Sequence, residues 1–243
     1  MMVTEMAFSS IVARVGTALL FAFVMTGCGS APPPKPEPER KPASSLNPNP
    51  GAALPAAEAN DKRKLFLAFG DSLTAGFGVE PGKSYPDELQ RLIDADKKPW
   101  RVVNAGISGE TTSGGVNRVD SIVAQKPAVV LLELGGNDGL RGIPLQSTAA
   151  NMETLIQALQ KSGAKVVLAG MTLPPNYGPD YIHEFEKIYV LLAAKYRLKL
   201  IPFLLEGVAT VPGLMQQDGI HPTAEGQAIV AKTVYKTVKP LLD

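Results

Sequence analysis

From residue 65 onward, short apolar runs alternate with stretches whose apolar residues recur three and four apart, and this alternation limits the fold more than any other feature. LFLAF, VVLLEL and KVVLA are brief, rich in branched or aromatic residues, and bounded by charged residues or glycine, as strands buried on both faces are. Strands that alternate with helical patterns predict βαβ units and a parallel sheet. Strands are expected at 65–69, 101–104, 129–134, 165–169 and 199–202, and helices at 85–94, 114–125, 147–161, 181–196 and 223–238. The fold class is therefore α/β, with five parallel strands. In the fourth helix Ile182, Phe185, Ile188, Tyr189 and Leu192 fall on one stripe, read as core.

The first sixty residues follow other rules. Residues 1–27 carry one acid (Glu5), one base (Arg14) and an apolar run from Val15 to Met25, then Thr26, Gly27 and Cys28. This reads as a signal peptide, the run being shorter than the roughly 20 residues a membrane-spanning helix needs. Cys28 is the only cysteine, so no internal disulfide forms. VMTGC resembles a bacterial lipobox, with Met25 where leucine is usual, which implies lipidation at Cys28 and a membrane anchor; ordinary signal cleavage is the competing reading. Residues 28–61 are dense in proline and alanine with few large apolar side chains, the composition of a disordered tether. Residues 62–243 remain for one folded domain. The formal net charge of +1 gives no basic field for nucleic acid.

In an open parallel sheet, functional groups collect beyond the carboxyl ends of the strands. Past the expected strands the chain reads GDSLTAG, AGISGETT, GGNDGLRG and MTLPPNYGPD, and a later loop reads DGIHPTAEGQ. GDSLTAG is neither the G-x-S-x-G elbow of α/β-hydrolases nor a phosphate loop, since Asp71 precedes the serine and no lysine follows. A serine hydroxyl needs a base, and there are two histidines. His183 lies within a helical pattern and reads as a surface or packing residue. His221 has Asp218 three positions before it, close enough in a tight loop to orient an imidazole. Ser72 is thus a candidate nucleophile, against its reading as a turn serine. Gly109 can bring a backbone N–H close to a substrate, and Asn137 can offer an amide donor; turn glycine and helix cap are their structural readings.

Taken together, GDSL, NAGISGETT, LELGGNDGLRG, LPPNYG and QQDGIHP resemble the SGNH (GDSL-type) hydrolases, in particular the bacterial thioesterase, lysophospholipase and arylesterase subfamily. The resemblance implies a three-layer α/β/α flavodoxin-like sandwich. It implies Ser72 as nucleophile, His221 as general base and acid, Asp218 as its orienting carboxylate, and an oxyanion hole from Ser72, Gly109 and Asn137. Glu110 stands where aspartate is commoner. No metal or organic cofactor is implied, and a monomer is favoured. Leu140, Arg141, Ile143, Pro174, Pro175 and Tyr177 fall in loops that resemble those lining the subfamily's acyl groove.

The expected substrate is a small-molecule acyl ester or lysolipid, met in the bacterial cell envelope. Two other readings stay open: an acetylesterase acting on envelope or extracellular carbohydrate, and a tethered binding module without catalysis.

Overall fold

The computed structural model describes residues 61–243; the signal segment, Cys28 and all but the last residue of the proposed tether lie outside the described residues. In chain order the elements are β1 (Lys64–Gly70), α1 (Ser72–Ala75), α2 (Tyr85–Ala95), β2 (Trp100–Gly106), α3 (Thr112–Val123), β3 (Val129–Glu133), α4 (Gly136–Leu140), α5 (Leu145–Lys161), β4 (Lys165–Ala169), α6 (Pro179–Tyr196), β5 (Lys199–Ile201) and α7 (Ala224–Val238). Short 3₁₀ turns cover Pro175–Tyr177 and Lys239–Leu241.

The five strands form one parallel sheet in the order β2-β1-β3-β4-β5. Helices α2 and α7 pack together, while α3 packs on α5 and α5 meets α6, so two helical layers enclose the sheet. Covering on both faces explains why the central strands are apolar without alternation: in β1 only Lys64 is exposed, and every residue of β3 is buried. Phe66, Phe69, Leu131 and Leu132 are fully buried at this centre. Truncating either phenylalanine to alanine would cost about 3–5 kcal/mol.

Local chemistry sets where the helices begin. Asp87 accepts the Ser84 N–H at 3.1 Å and Pro86 sits in the first turn of α2, where its missing N–H has no helical partner. Thr111 and Thr223 cap α3 and α7 by accepting the N–H of Gly114 and Gly226. The stripe on α6 is core as its spacing predicts, with Phe185, Ile188, Tyr189 and Leu192 buried and Ile182 partly so.

Beyond β1 the chain moves outward to β2 and then returns to the other side of β1 as β3. The loops that follow β1, β2 and β3 therefore open onto the point where strand order reverses, the crevice where α/β sheets hold ligands.

Candidate active site

Ser72 is the first residue of α1, not part of a loop. Asp71 caps that helix by accepting the Leu73 N–H at 3.0 Å, and Gly76, at φ +76°, ends it after one turn. A serine so placed has its backbone fixed by cap and turn, while its hydroxyl sits at the sheet edge.

His221 arrives from the other end of the chain. Its Nε2 is 2.8 Å from Ser72 Oγ, and its Nδ1 is 2.7 Å from Asp218 Oδ2. The second Asp218 oxygen accepts the N–H groups of Ile220 and His221, each at 3.0 Å. Burial pushes the Asp218 carboxyl up, but these hydrogen bonds, that from His221 foremost, outweigh it and hold the group below its ordinary value. Asp218 is thus a carboxylate throughout the neutral range.

Two residues that the sequence did not single out secure this loop. Gln216 Nε2 donates to the carbonyls of Phe77 (2.7 Å) and Pro222 (2.8 Å), joining the histidine loop to the loop after α1. The Phe77 ring lies tilted against the His221 imidazole, 4.6 Å between centroids.

Gly109 follows β2 with φ +79°, a conformation that favours glycine. Its turn is anchored from below by Arg118, which pairs with Glu110 and donates to the Ala105 carbonyl at 2.8 Å. Asn137 lies in α4 after β3 and donates from Nδ2 to Asp71 Oδ2 at 2.9 Å. Asp138, buried where Asn137 is only partly so, accepts the Thr112 N–H and hydroxyl at 2.8 and 2.5 Å, which ties α4 to the start of α3.

Beneath the Ser72 turn lies Glu133, the last residue of β3 and wholly buried. Its Oε2 accepts the Asp71 N–H at 3.2 Å and the Thr74 hydroxyl at 2.8 Å, while Oε1 has no hydrogen-bond partner among the described residues. Burial, and then the neighbouring Asp71, push the Glu133 carboxyl well above its ordinary value. Burial likewise raises Asp71, to about 6. Both shifts favour the protonated acid over the carboxylate.

A cavity of about 560 Å³ opens from Ser72 and His221. Leu140, Pro174 and Pro175 line it, as do Met171, Phe203 and Leu205. The expectation that Arg141, Ile143 and Tyr177 also line the groove differs from the geometry: none of the three is among the lining residues. Arg141 turns toward the Gly109 carbonyl, and the Tyr177 hydroxyl donates to the Leu140 carbonyl at 2.8 Å, bracing the wall from behind. His183 is exposed on α6, apart from this constellation.

The arrangement sets a serine hydroxyl, an imidazole and a carboxylate in hydrogen-bonded sequence beside an apolar cavity. Residues 68–229 match the GDSL-like lipase/acylhydrolase family. The chain belongs to that family. It is 45% identical to "Esterase TesA" of Pseudomonas aeruginosa over 74% of this chain and 90% of that one. It is 38% identical to "Thioesterase 1/protease 1/lysophospholipase L1" of Escherichia coli over 73% of this chain and 84% of that one. Among solved structures, that titled "Crystal Structure of TesA" superposes with a TM-score of 0.71 at 44% identity, covering 73% of this chain and 99% of that one. As a GDSL-like acylhydrolase with an SGNH fold, the protein is a carboxylic ester hydrolase.

Proposed function

We propose that this GDSL-like acylhydrolase cleaves medium- or long-chain acyl esters, lysolipids among them, through an acyl-enzyme on Ser72. The observation that carries the reading is the continuous relay from Ser72 Oγ to His221 Nε2 and from His221 Nδ1 to Asp218. His221 Nε2 takes the hydroxyl proton as Oγ bonds to the substrate carbonyl carbon. Asp218 accepts the Nδ1–H and stabilises the imidazolium. The carbonyl oxygen gathers negative charge against the N–H of Ser72, the N–H of Gly109 and the second Nδ2–H of Asn137. The proton on Nε2 then passes to the leaving alkoxide, alcohol departs, and the acyl group stays on Ser72. Water repeats the sequence, giving its proton to His221 and releasing the acid.

Cavity size supports a long acyl group. An apolar-walled space of about 560 Å³ is in the range of pockets that enclose whole small molecules, and an acetyl group would leave most of it unfilled. The names carried by the relatives, an esterase and a lysophospholipase among their activities, point the same way. Matched nitrophenyl esters of increasing chain length test this: kcat/KM should rise from acetyl toward medium chains, and a steep preference for acetyl would overturn it.

Residues 1–61 support placement in the cell envelope, with a signal at 1–27, lipidation at Cys28 and a tether at 28–61 leading into a catalytic domain at 62–243. Cys28→Ala should release the protein from membrane fractions; unchanged association would contradict the anchor.

A further inference from the structure

Arg141 is exposed and stands outside the cavity lining, yet its guanidinium is committed to two groups that border the reacting centre. Nη2 donates to the Gly109 carbonyl at 2.9 Å and to Asn137 Oδ1 at 3.4 Å. The contact is built into the short helix α4, since Arg141 lies one turn beyond Asn137 and its N–H donates to the Asn137 carbonyl at 3.2 Å. Tyr181 and Tyr177 hold the same turn from the other side, through the carbonyls of Gly139 and Leu140.

The Asn137 carboxamide is thereby gripped at both ends. Nδ2 donates one hydrogen to the buried carboxyl of Asp71, and Oδ1 faces the cation of Arg141. A half-turn of the amide would set its oxygen against Asp71 and its NH₂ against the guanidinium, an unfavourable pairing at each end. One orientation is left, in which the second Nδ2–H is free for the substrate. Gly109 has the opposite problem: without a Cβ and at φ +79°, its backbone has little intrinsic preference to hold it. The bond from Arg141 to its carbonyl supplies that restraint.

We infer that Arg141 is a positioning residue for ester hydrolysis, orienting two of the three oxyanion donors, the Gly109 N–H and the Asn137 Nδ2–H. It acts through those donors and not by touching the acyl chain. The inference rests on the reading of Ser72 as nucleophile and adds to it a residue whose side chain lies outside the cavity.

The test uses the full-length protein with Arg141→Ala and Arg141→Lys, each in the native background and with Asn137→Ala. Turnover of a short nitrophenyl ester gives kcat and KM, and an alkyl boronic acid, whose adduct on Ser72 carries a negative tetrahedral oxygen, reports on the oxyanion site. Arg141→Ala should lower kcat about 10- to 100-fold, in the range of one weakened oxyanion donor, with KM within about threefold. Boronate affinity should fall in step with kcat/KM, and lysine, a single-point donor, should restore part of both. In the Asn137→Ala background the same change should cost less than about fivefold, because one of its two targets is gone. A multiplicative loss in both backgrounds, a rise in KM alone, or unchanged kcat and boronate affinity would each overturn the inference. Turnover that survives Ser72→Ala would instead overturn the nucleophile assignment, which keeps the two failures distinct.

Discussion

Gln216 Nε2 donates to the Phe77 carbonyl at 2.7 Å, a bond between residues 139 positions apart that closes the histidine loop onto the loop that follows Ser72. The same nitrogen reaches the Pro222 carbonyl, and the Gln216 N–H donates to the His221 carbonyl at 2.8 Å. One side chain therefore helps fix the separation of Ser72 and His221. Gln216→Leu keeps the bulk and removes both side-chain bonds. Stability should fall by about 1–3 kcal/mol in a denaturant titration. Because a small misplacement of the base is costly, kcat should fall at least about tenfold while KM changes less. Native kcat in a folded Gln216→Leu protein would contradict this role.

Glu133 gives the fold a pH dependence of definite sign. In the unfolded chain its carboxyl ionises near the ordinary 4.5, whereas in the folded protein burial and Asp71 keep it protonated to well higher pH. Between those limits the folded state holds more protons than the unfolded state, so stability declines as pH rises, by up to about 1.4 kcal/mol per pH unit. Asp71, raised to about 6, adds to the decline between its ordinary 3.8 and that value. Glu133→Gln keeps a carbonyl oxygen for the Asp71 N–H and the Thr74 hydroxyl and removes the ionisation. Thermal midpoints from pH 5 to 8 should fall less steeply in the variant than in the native protein. Parallel slopes would show that Glu133 titrates alike in both states.

Gly109 separates backbone conformation from space. A Cβ added there would meet nothing closer than Arg141 Nη2, at 3.5 Å, so crowding is not the obstacle. Its φ of +79° is, because an L-residue there is strained by roughly 1–2 kcal/mol. Gly109→Ala should leave overall stability within about 2 kcal/mol of native but turn the N–H away from the oxyanion. A drop in kcat of about 100-fold at little changed KM is expected from steady-state kinetics. By contrast, Gly106→Ala would drive a Cβ to 2.2 Å from the Ala75 nitrogen and should damage folding itself.

The sheet was legible because its physics is local. Strands such as 129–134 and 165–169 are apolar runs broken only by Glu133 and Lys165, since helices cover both faces, and the observed β3 and β4 match them to within one residue. Helices α1 and α4, with four and five residues, escaped notice because one turn has no hydrophobic period to read, and glycine at 136 and 139 argues against a helix. They are nevertheless the elements that present Ser72 and Asn137.

Ser72, Gly109 and Asn137 drew notice by lying just past expected strands, and His221 as one of two histidines with Asp218 three positions before it, while the residues that hold them did not. Gln216 and Glu133 work through contacts with residues distant in sequence, which no spacing encodes. Arg141 was visible in LGGNDGLRG as part of a groove loop, but only the geometry turns its side chain away from the cavity and onto Gly109.

In the proposed mechanism Ser72 carries the acyl group. The full-length protein should be treated with a fluorophosphonate that forms a stable adduct, digested, and mapped by mass spectrometry alongside residual ester turnover. One adduct is expected, on the Ser72 peptide, with activity lost in proportion to labelling and with neither label nor turnover in Ser72→Ala. An adduct on another residue, or turnover that persists in folded Ser72→Ala, would contradict it.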